Sequence, residues 1–149
     1  MSTNYKLAAN LIAHFEGFIP HAAWDVNAYR CGYGSDSLGK NQLPVKRDSV
    51  TTRADALDNL VCRIPKFEAV IFGQGIKRGA WEKLPDNATA ALLSFAYNYG
   101  HLTQHVVDAL ERGDLHAVAQ AVADRGVDNN GINAKRRYAE ATLIASVAD

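Results

Sequence analysis

Residues His14–Asp36, HFEGFIPHAAWDVNAYRCGYGSD, hold the change of period from which the fold can be read. Before this stretch, Leu7, Leu11, Ile12 and Phe15 recur at helical spacing and predict an amphipathic helix with one buried face. Gly17 is expected to end it, because glycine most easily takes the left-handed conformation after a last turn. Glu16 then stands at the negative end of the helix, where the field disfavours a carboxylate. Partial burial would act in the same direction, so this acid is expected to keep its proton more firmly than a free glutamate. That is the property a general acid requires. On position alone, a solvated glutamate at a frayed helix end is the plainer reading.

The second half of the stretch changes character. Asp25 falls in a segment, Trp24 to Gly34, dense in aromatics and turn formers. Tyr29, Cys31 and Tyr33 alternate before Gly34-Ser35-Asp36, which predicts a short strand entering a turn. The chain is expected to leave a helix, cross a loop, and present a second carboxylate on a neighbouring strand. Two carboxyl groups on separate rigid elements facing one cleft are the arrangement that breaks glycosidic bonds. Asp25 also suits a turn, since Asp-x-Asn is favoured there by side-chain to backbone hydrogen bonds. Arg30 could be a surface charge, or could hold Asp25 ionised while Glu16 stays protonated.

At these residues the sequence resembles the phage-type lysozymes, glycoside hydrolase family 24. Glu16-Gly17, then Asp25, then Gly32-Tyr33-Gly34 is similar to that family's active-site segment. Two further stretches follow in the family's order: Leu92-Leu93-Ser94-Phe95-Ala96-Tyr97-Asn98-Tyr99-Gly100, and Gly131 through Arg136-Arg137-Tyr138-Ala139-Glu140. The chain departs from the pattern as well. It is one residue short between Asp25 and the Gly-Tyr-Gly run, so the family's threonine falls on Arg30 counted from the glycines, or on Cys31 counted from the aspartate. Ser35 stands where the family usually has histidine.

The resemblance implies a lysozyme-like α+β fold, mostly α-helical, with a small β-sheet lobe at about residues 22–50, a helical lobe, and a cleft between them. It implies an N-acetylmuramidase acting on the β-1,4 bond between N-acetylmuramic acid and N-acetylglucosamine in bacterial peptidoglycan, with no cofactor and no metal. Glu16, Asp25 and Arg30 would carry the chemistry, and Tyr33, Ser35, Asn98, Arg136 and Arg137 would meet the substrate. One of the two arginines is expected to reach and orient Glu16, which would oppose the retention of its proton. Two alternatives stay open: a lytic transglycosylase on the same bond, and a wall-binding module without catalysis.

Composition bounds the rest. At 149 residues the chain is long enough for one domain with a core of its own. Sixteen basic residues balance sixteen acidic ones, so no net field draws it to nucleic acid or to a membrane. No apolar run approaches a membrane span. Residues 1–20 lack a basic start followed by an apolar run, so no export signal is read there. The expectation is a monomer made in the cytoplasm that needs a holin or a secretion apparatus to reach the periplasmic wall. Cys31 and Cys62 are expected to be reduced. Cys31 as a nucleophile, with His14 or His21 as base, is a weaker reading than a small buried apolar residue. His101 and His105 have helical spacing but lack the glutamate of the metalloprotease motif.

Further along, Thr52-Arg53-Ala54-Asp55 reads as a helix start, and Leu57, Leu60, Val61 and Ile64 keep helical spacing to Pro65. Pro65 could kink that helix or separate it from a segment with Phe67, Val70 and Ile71. Pro85-Asp86-Asn87 opens a helix whose wide apolar face suits a central position. Helices over Thr103–Arg112 and Asp114–Arg125, a turn at Asp128–Gly131, and a last helix over Ala134–Val147 complete the expectation. Phe95, Tyr97 and Tyr99 read either as core or as cleft walls. Arg136 and Arg137, taken without the resemblance, read as solvated.

Overall fold

The structure, a computed structural model, describes residues 3–149. The first helix, α1 (Thr3–Glu16), ends where expected, with Gly17 at φ +68°. Its buried face differs from the expectation. Ala8, Ala9 and Ile12 are buried, whereas Leu7 stays partly exposed. The reason lies in the partner, α4 (Asp86–Tyr99), which is rich in alanine and packs closely along α1. Small side chains let two helix backbones approach, so the alanines rather than the leucines form the seam.

Two strands follow at once. β1 (Ile19–Asp25) and β2 (Ala28–Gly32) form an antiparallel hairpin that pairs Trp24 with Tyr29 and Asp25 with Ala28. The expected loop between helix and strand is therefore itself a strand, and Asp25 stands at its far end, at the hairpin turn. The turn holds Val26 at φ +55°, a rare conformation for a β-branched residue. A second small sheet joins β3 (Ser37–Leu38) to β4 (Leu43–Pro44). The β lobe thus begins before residue 22, the expected start.

The 21-residue helix α2 (Arg53–Gly73) links the lobes, and it continues past Pro65 as one element. Thr52 caps it by accepting from the Asp55 amide at 3.1 Å. A short helix, α3 (Arg78–Glu82), was not foreseen. It buries Trp81, whose indole N–H donates to Glu68 Oε2 at 3.0 Å. In α4 every residue from Ala88 to Ala96 is buried, as befits a helix surrounded on all sides, and Gly100 closes it at φ +101°. Then come α5 (Gln104–Glu111), α6 (Leu115–Ala123), a 3₁₀ segment (Asp124–Gly131) and α7 (Ala134–Ala145). The core gathers Ile12, Leu60, Ile64, Leu92, Leu93, Phe95 and Ile144 around α4. Mostly helical, with two small antiparallel sheets, the protein is α+β. Among the described residues no helix is long and apolar enough to cross a membrane. Both cysteines are free, Cys31 buried and Cys62 exposed.

Candidate active site

Glu16 is the last residue of α1, and its two oxygens have different surroundings. Oε1 accepts from Arg136 Nη1 at 2.7 Å, an ion pair with Arg136 almost wholly buried. Oε2 faces Gly34, where an added Cβ would lie 3.3 Å from it. One oxygen is therefore fastened and the other is free of that clamp. Of the two arginines it is Arg136 that reaches and orients Glu16.

A cleft of about 330 Å³ opens in front of this carboxyl, lined by Glu16, Asp25, Arg30, Gly34, Arg63, Phe67, Tyr97 and Asn98. It lies between the hairpin on one side and helices α2 and α4 on the other. The two acids and Arg30 thus share one cavity. Arg30 Nε lies 3.5 Å from Asp25 Oδ2 across the hairpin, and Arg30 Nη1 donates to the Gly34 carbonyl at 3.2 Å. Asp25 is the looser of the two acids, its side chain 63% exposed.

Arg63 also lines the cleft. Its Nη1 lies 3.1 Å from Asp36 Oδ1, which ties α2 to the β lobe. Burial would raise the Asp36 carboxyl, but Arg63 and Arg30 outweigh it and hold the group below the ordinary aspartate range. Tyr97 stands beside Arg63, with its ring against Phe67. Burial pushes the Tyr97 phenol up, Arg63 opposes that, and Glu16 adds to it.

The structure brings Glu16, Asp25, Arg30 and Asn98 together and sets the other expected substrate contacts apart. Tyr33 is buried against Phe18 and does not line the cleft; its carbonyl accepts from the Tyr97 hydroxyl at 3.4 Å. Ser35 is buried too, bridged to Cys31 through backbone hydrogen bonds. Both lie in the tight turn after β2, where Gly32 and Gly34 take positive φ and the Cys31–Ser35 backbone bridge folds the chain back on itself, with the two side chains buried beneath it. Arg136 and Arg137 are buried rather than solvated, at 3% and 2% exposure. They lie behind the cleft wall, Arg136 on Glu16 and Arg137 donating to Asn98 Oδ1 at 3.0 Å. Cys31, the other candidate for the threonine position, has no exposed surface, and burial pushes its thiol up, as suits an inert packing residue. Among the described residues no group of three or more His, Cys, Asp or Glu is placed to hold a metal.

Arg63 had one signal in the sequence: a charge set within the apolar run Leu60, Val61, Ile64. Phe67 and Gly34 had none beyond their residue types.

A profile of the phage lysozyme family matches residues 13–140, most of the chain, including both acids and the Arg136–Glu140 segment. The chain belongs to the phage lysozyme family. No curated protein matches it by sequence. Solved structures share its fold. The endolysin of Escherichia coli O157:H7 phage FAHEc1 is 24% identical with a TM-score of 0.74, over 96% of this chain and 94% of that one. The active form of the P1 phage endolysin Lyz is 18% identical with a TM-score of 0.72, over 94% and 83%. The muramidase domain of SpmX from Asticaccaulis excentricus is 21% identical with a TM-score of 0.72, over 92% and 93%. The lysozyme-like expectation for the fold holds. Within this phage-lysozyme chain, Arg30 lines the cleft 3.5 Å from Asp25, and Cys31 is buried outside the lining.

Proposed function

We propose that the protein is a muramidase that hydrolyses the β-1,4 bond between N-acetylmuramic acid and N-acetylglucosamine in bacterial peptidoglycan. The observation that carries this reading is the pair of unlike carboxyls on one cleft, Glu16 clamped by Arg136 and Asp25 on the opposing hairpin. In this reaction Glu16 Oε2 gives its proton to the glycosidic oxygen as the C–O bond breaks. Asp25, with Arg30 beside it, positions a water that adds to the anomeric carbon, and the water's proton passes to the Asp25 carboxylate, which afterwards releases it to solvent. Glu16 recovers a proton from solvent. Phe67 and Tyr97 offer ring surface against which sugars stack.

The test is turbidity of purified walls, followed by mass spectrometry of the released muropeptides. Hydrolysis yields reducing ends. The unequal hold on the two acids supports one second reading: a lytic transglycosylase needs a single acid, and only Glu16 is held by a buried cation. That enzyme would leave 1,6-anhydro ends. Sedimentation with walls but no clearing would support a binding module instead. The proposal extends to the setting: synthesis in the cytoplasm and action on the periplasmic wall once a holin or secretion apparatus grants passage. Expression with and without a co-expressed holin tests it, since lysis should require the holin.

A further inference from the structure

Behind the cleft lies a knot of charge that the proposed chemistry does not by itself require. Glu140 has no exposed surface, yet it stands between two buried cations. Arg136 Nε lies 3.4 Å from its Oε2, and Arg137 Nε 2.7 Å from its Oε1. Ser94 Oγ of α4 donates to Oε2 at 2.6 Å, and Arg137 Nη2 reaches the same oxygen at 3.2 Å. Apolar side chains of similar volume commonly stabilise such a site as well or better, so packing alone is a weak reason for it.

The two guanidiniums leave the knot in different directions. Arg136 ends on Glu16, and Arg137 ends on Asn98. Both recipients line the cleft. A guanidinium only donates, so Arg137 turns the Asn98 amide oxygen inward and leaves its Nδ2 for the cleft. One carboxylate thus stands behind both an acid and an amide that face the substrate.

We propose that Glu140 is a positioning residue, a shared counter-ion that moderates Arg136's hold on Glu16 and fixes the Asn98 amide through Arg137. The inference rests on the reading of Glu16 as the general acid. Arg136 contacts both carboxylates, and the negative charge of Glu140 offsets part of the guanidinium's field at Glu16. Remove Glu140's charge and Arg136 acts on Glu16 undiluted, in surroundings where charges interact strongly. The Glu16 carboxylate is then favoured, and the proton it must donate leaves at lower pH.

The charged groups that face Glu140 are Arg136 and Arg137 from its own helix, with the Ser94 hydroxyl from α4. Those that face Glu16 are Arg136 of α7, Tyr97 of α4, and, around the cleft, Asp25 and Arg30 of the hairpin and Arg63 of α2. Burial pushes the Glu140 carboxyl up, while Arg137, Ser94 and Arg136 pull it back.

The experiment uses three variants of the full chain: Arg137→Met, the pair Glu140→Gln with Arg137→Met, and Glu140→Asp. The double variant removes one charge of each sign, which spares the interior an unbalanced guanidinium. Wall lysis is followed against pH with kcat and KM separated, and the Glu16 carboxyl is titrated by carbon-13 NMR. In the double variant, the alkaline limb and the titration should both move down by about one pH unit, about a tenfold loss of rate above the limb. Arg137→Met alone should raise KM, because Asn98 is released, and should not move the limb down. Glu140→Asp, which draws the charge back from Arg136, should give a smaller downward shift, and it serves alone if the double variant does not fold. A folded double variant with the wild-type limb and titration overturns the proposal, as does an unmoved Glu140→Asp. If wild-type protein leaves walls intact while the titration still follows the charge at 140, the muramidase reading fails and the coupling stands. Cleaved walls with an indifferent titration give the reverse.

Discussion

Arg136 and Glu16 are separated by 120 positions in the chain and by 2.7 Å in space, so the end of the first helix is held by the start of the last. A carboxyl at a helix terminus can rotate freely. This one is fixed by a buried side chain whose other nitrogen donates to the Ser94 carbonyl at 3.2 Å. The orientation of the acid is therefore a property of the whole helical lobe.

Glu16→Gln removes the transferable proton and keeps the shape. Lysis of purified walls should fall by about 10²–10⁴-fold, the usual contribution of a general acid. Circular dichroism and the thermal midpoint should stay near wild type. A variant that clears walls at the parent rate ends the assignment.

Arg136→Met leaves Glu16 without its cation and strips Glu140 of one of two. Breaking such a pair typically costs about 3–5 kcal/mol, with the lower end expected because Glu16 is partly exposed. Urea denaturation should register this, and activity should fall with it. Arg136→Lys keeps the charge but cannot reach Glu16, Glu140 and Ser94 with one flat fork, so it should rescue stability in part and lysis less.

Asp25→Asn tests the second acid. Under hydrolysis with a positioned water, wall clearing should drop by about 10²-fold or more. A loss of only a few-fold, together with 1,6-anhydro muropeptides, would establish the single-acid route. Arg30→Ala should follow Asp25→Asn in direction, because the guanidinium 3.5 Å away is then gone.

Gly34→Ala places a methyl carbon 3.3 Å from Glu16 Oε2, on a residue at φ +77°. The backbone penalty alone is about 1 kcal/mol. The crowded oxygen is the one assigned to proton transfer, so lysis should fall further than stability does. A variant as active as the parent would place the donated proton elsewhere.

Asp36 gives a prediction about acid. Its folded carboxyl lies below the ordinary range because Arg63 and Arg30 outweigh burial. A depressed carboxyl stabilises the fold fully above its unfolded value, and that contribution disappears as pH falls through the folded one. Urea midpoints measured from pH 6 down to about 2 should decline in the wild type, and less steeply in Arg63→Met, which lacks the main counter-charge. Equal slopes would remove Asp36 from the account.

Much of this was legible because it is local. The helix stop at Gly17, the cap at Thr52 and the breadth of the α4 apolar face follow from a few neighbouring residues each. The acids Glu16 and Asp25 were found through spacing and a family likeness, and the cleft gathers both. The failures are of another kind. Nothing near Leu7 says that α4 presents alanines, so the wrong stripe of α1 was expected to be buried. Tyr33 and Ser35 carry polar atoms suited to a sugar, yet the tight turn between Gly32 and Gly34 leaves both buried. Arg136 and Arg137 look solvated until Ser94, Asn98 and Glu140 are brought around them. Arg63 matters only because Asp36 arrives from the other lobe.

The clamp on Glu16 also fixes an order of events during synthesis. Residue 136 must leave the ribosome and α7 must dock before the carboxyl at position 16 has its guanidinium. A growing chain with α1 and the hairpin already folded holds both acids but lacks this brace. The brace on the first helix is thus a contact that only α7 can complete, an arming pin set 120 residues downstream.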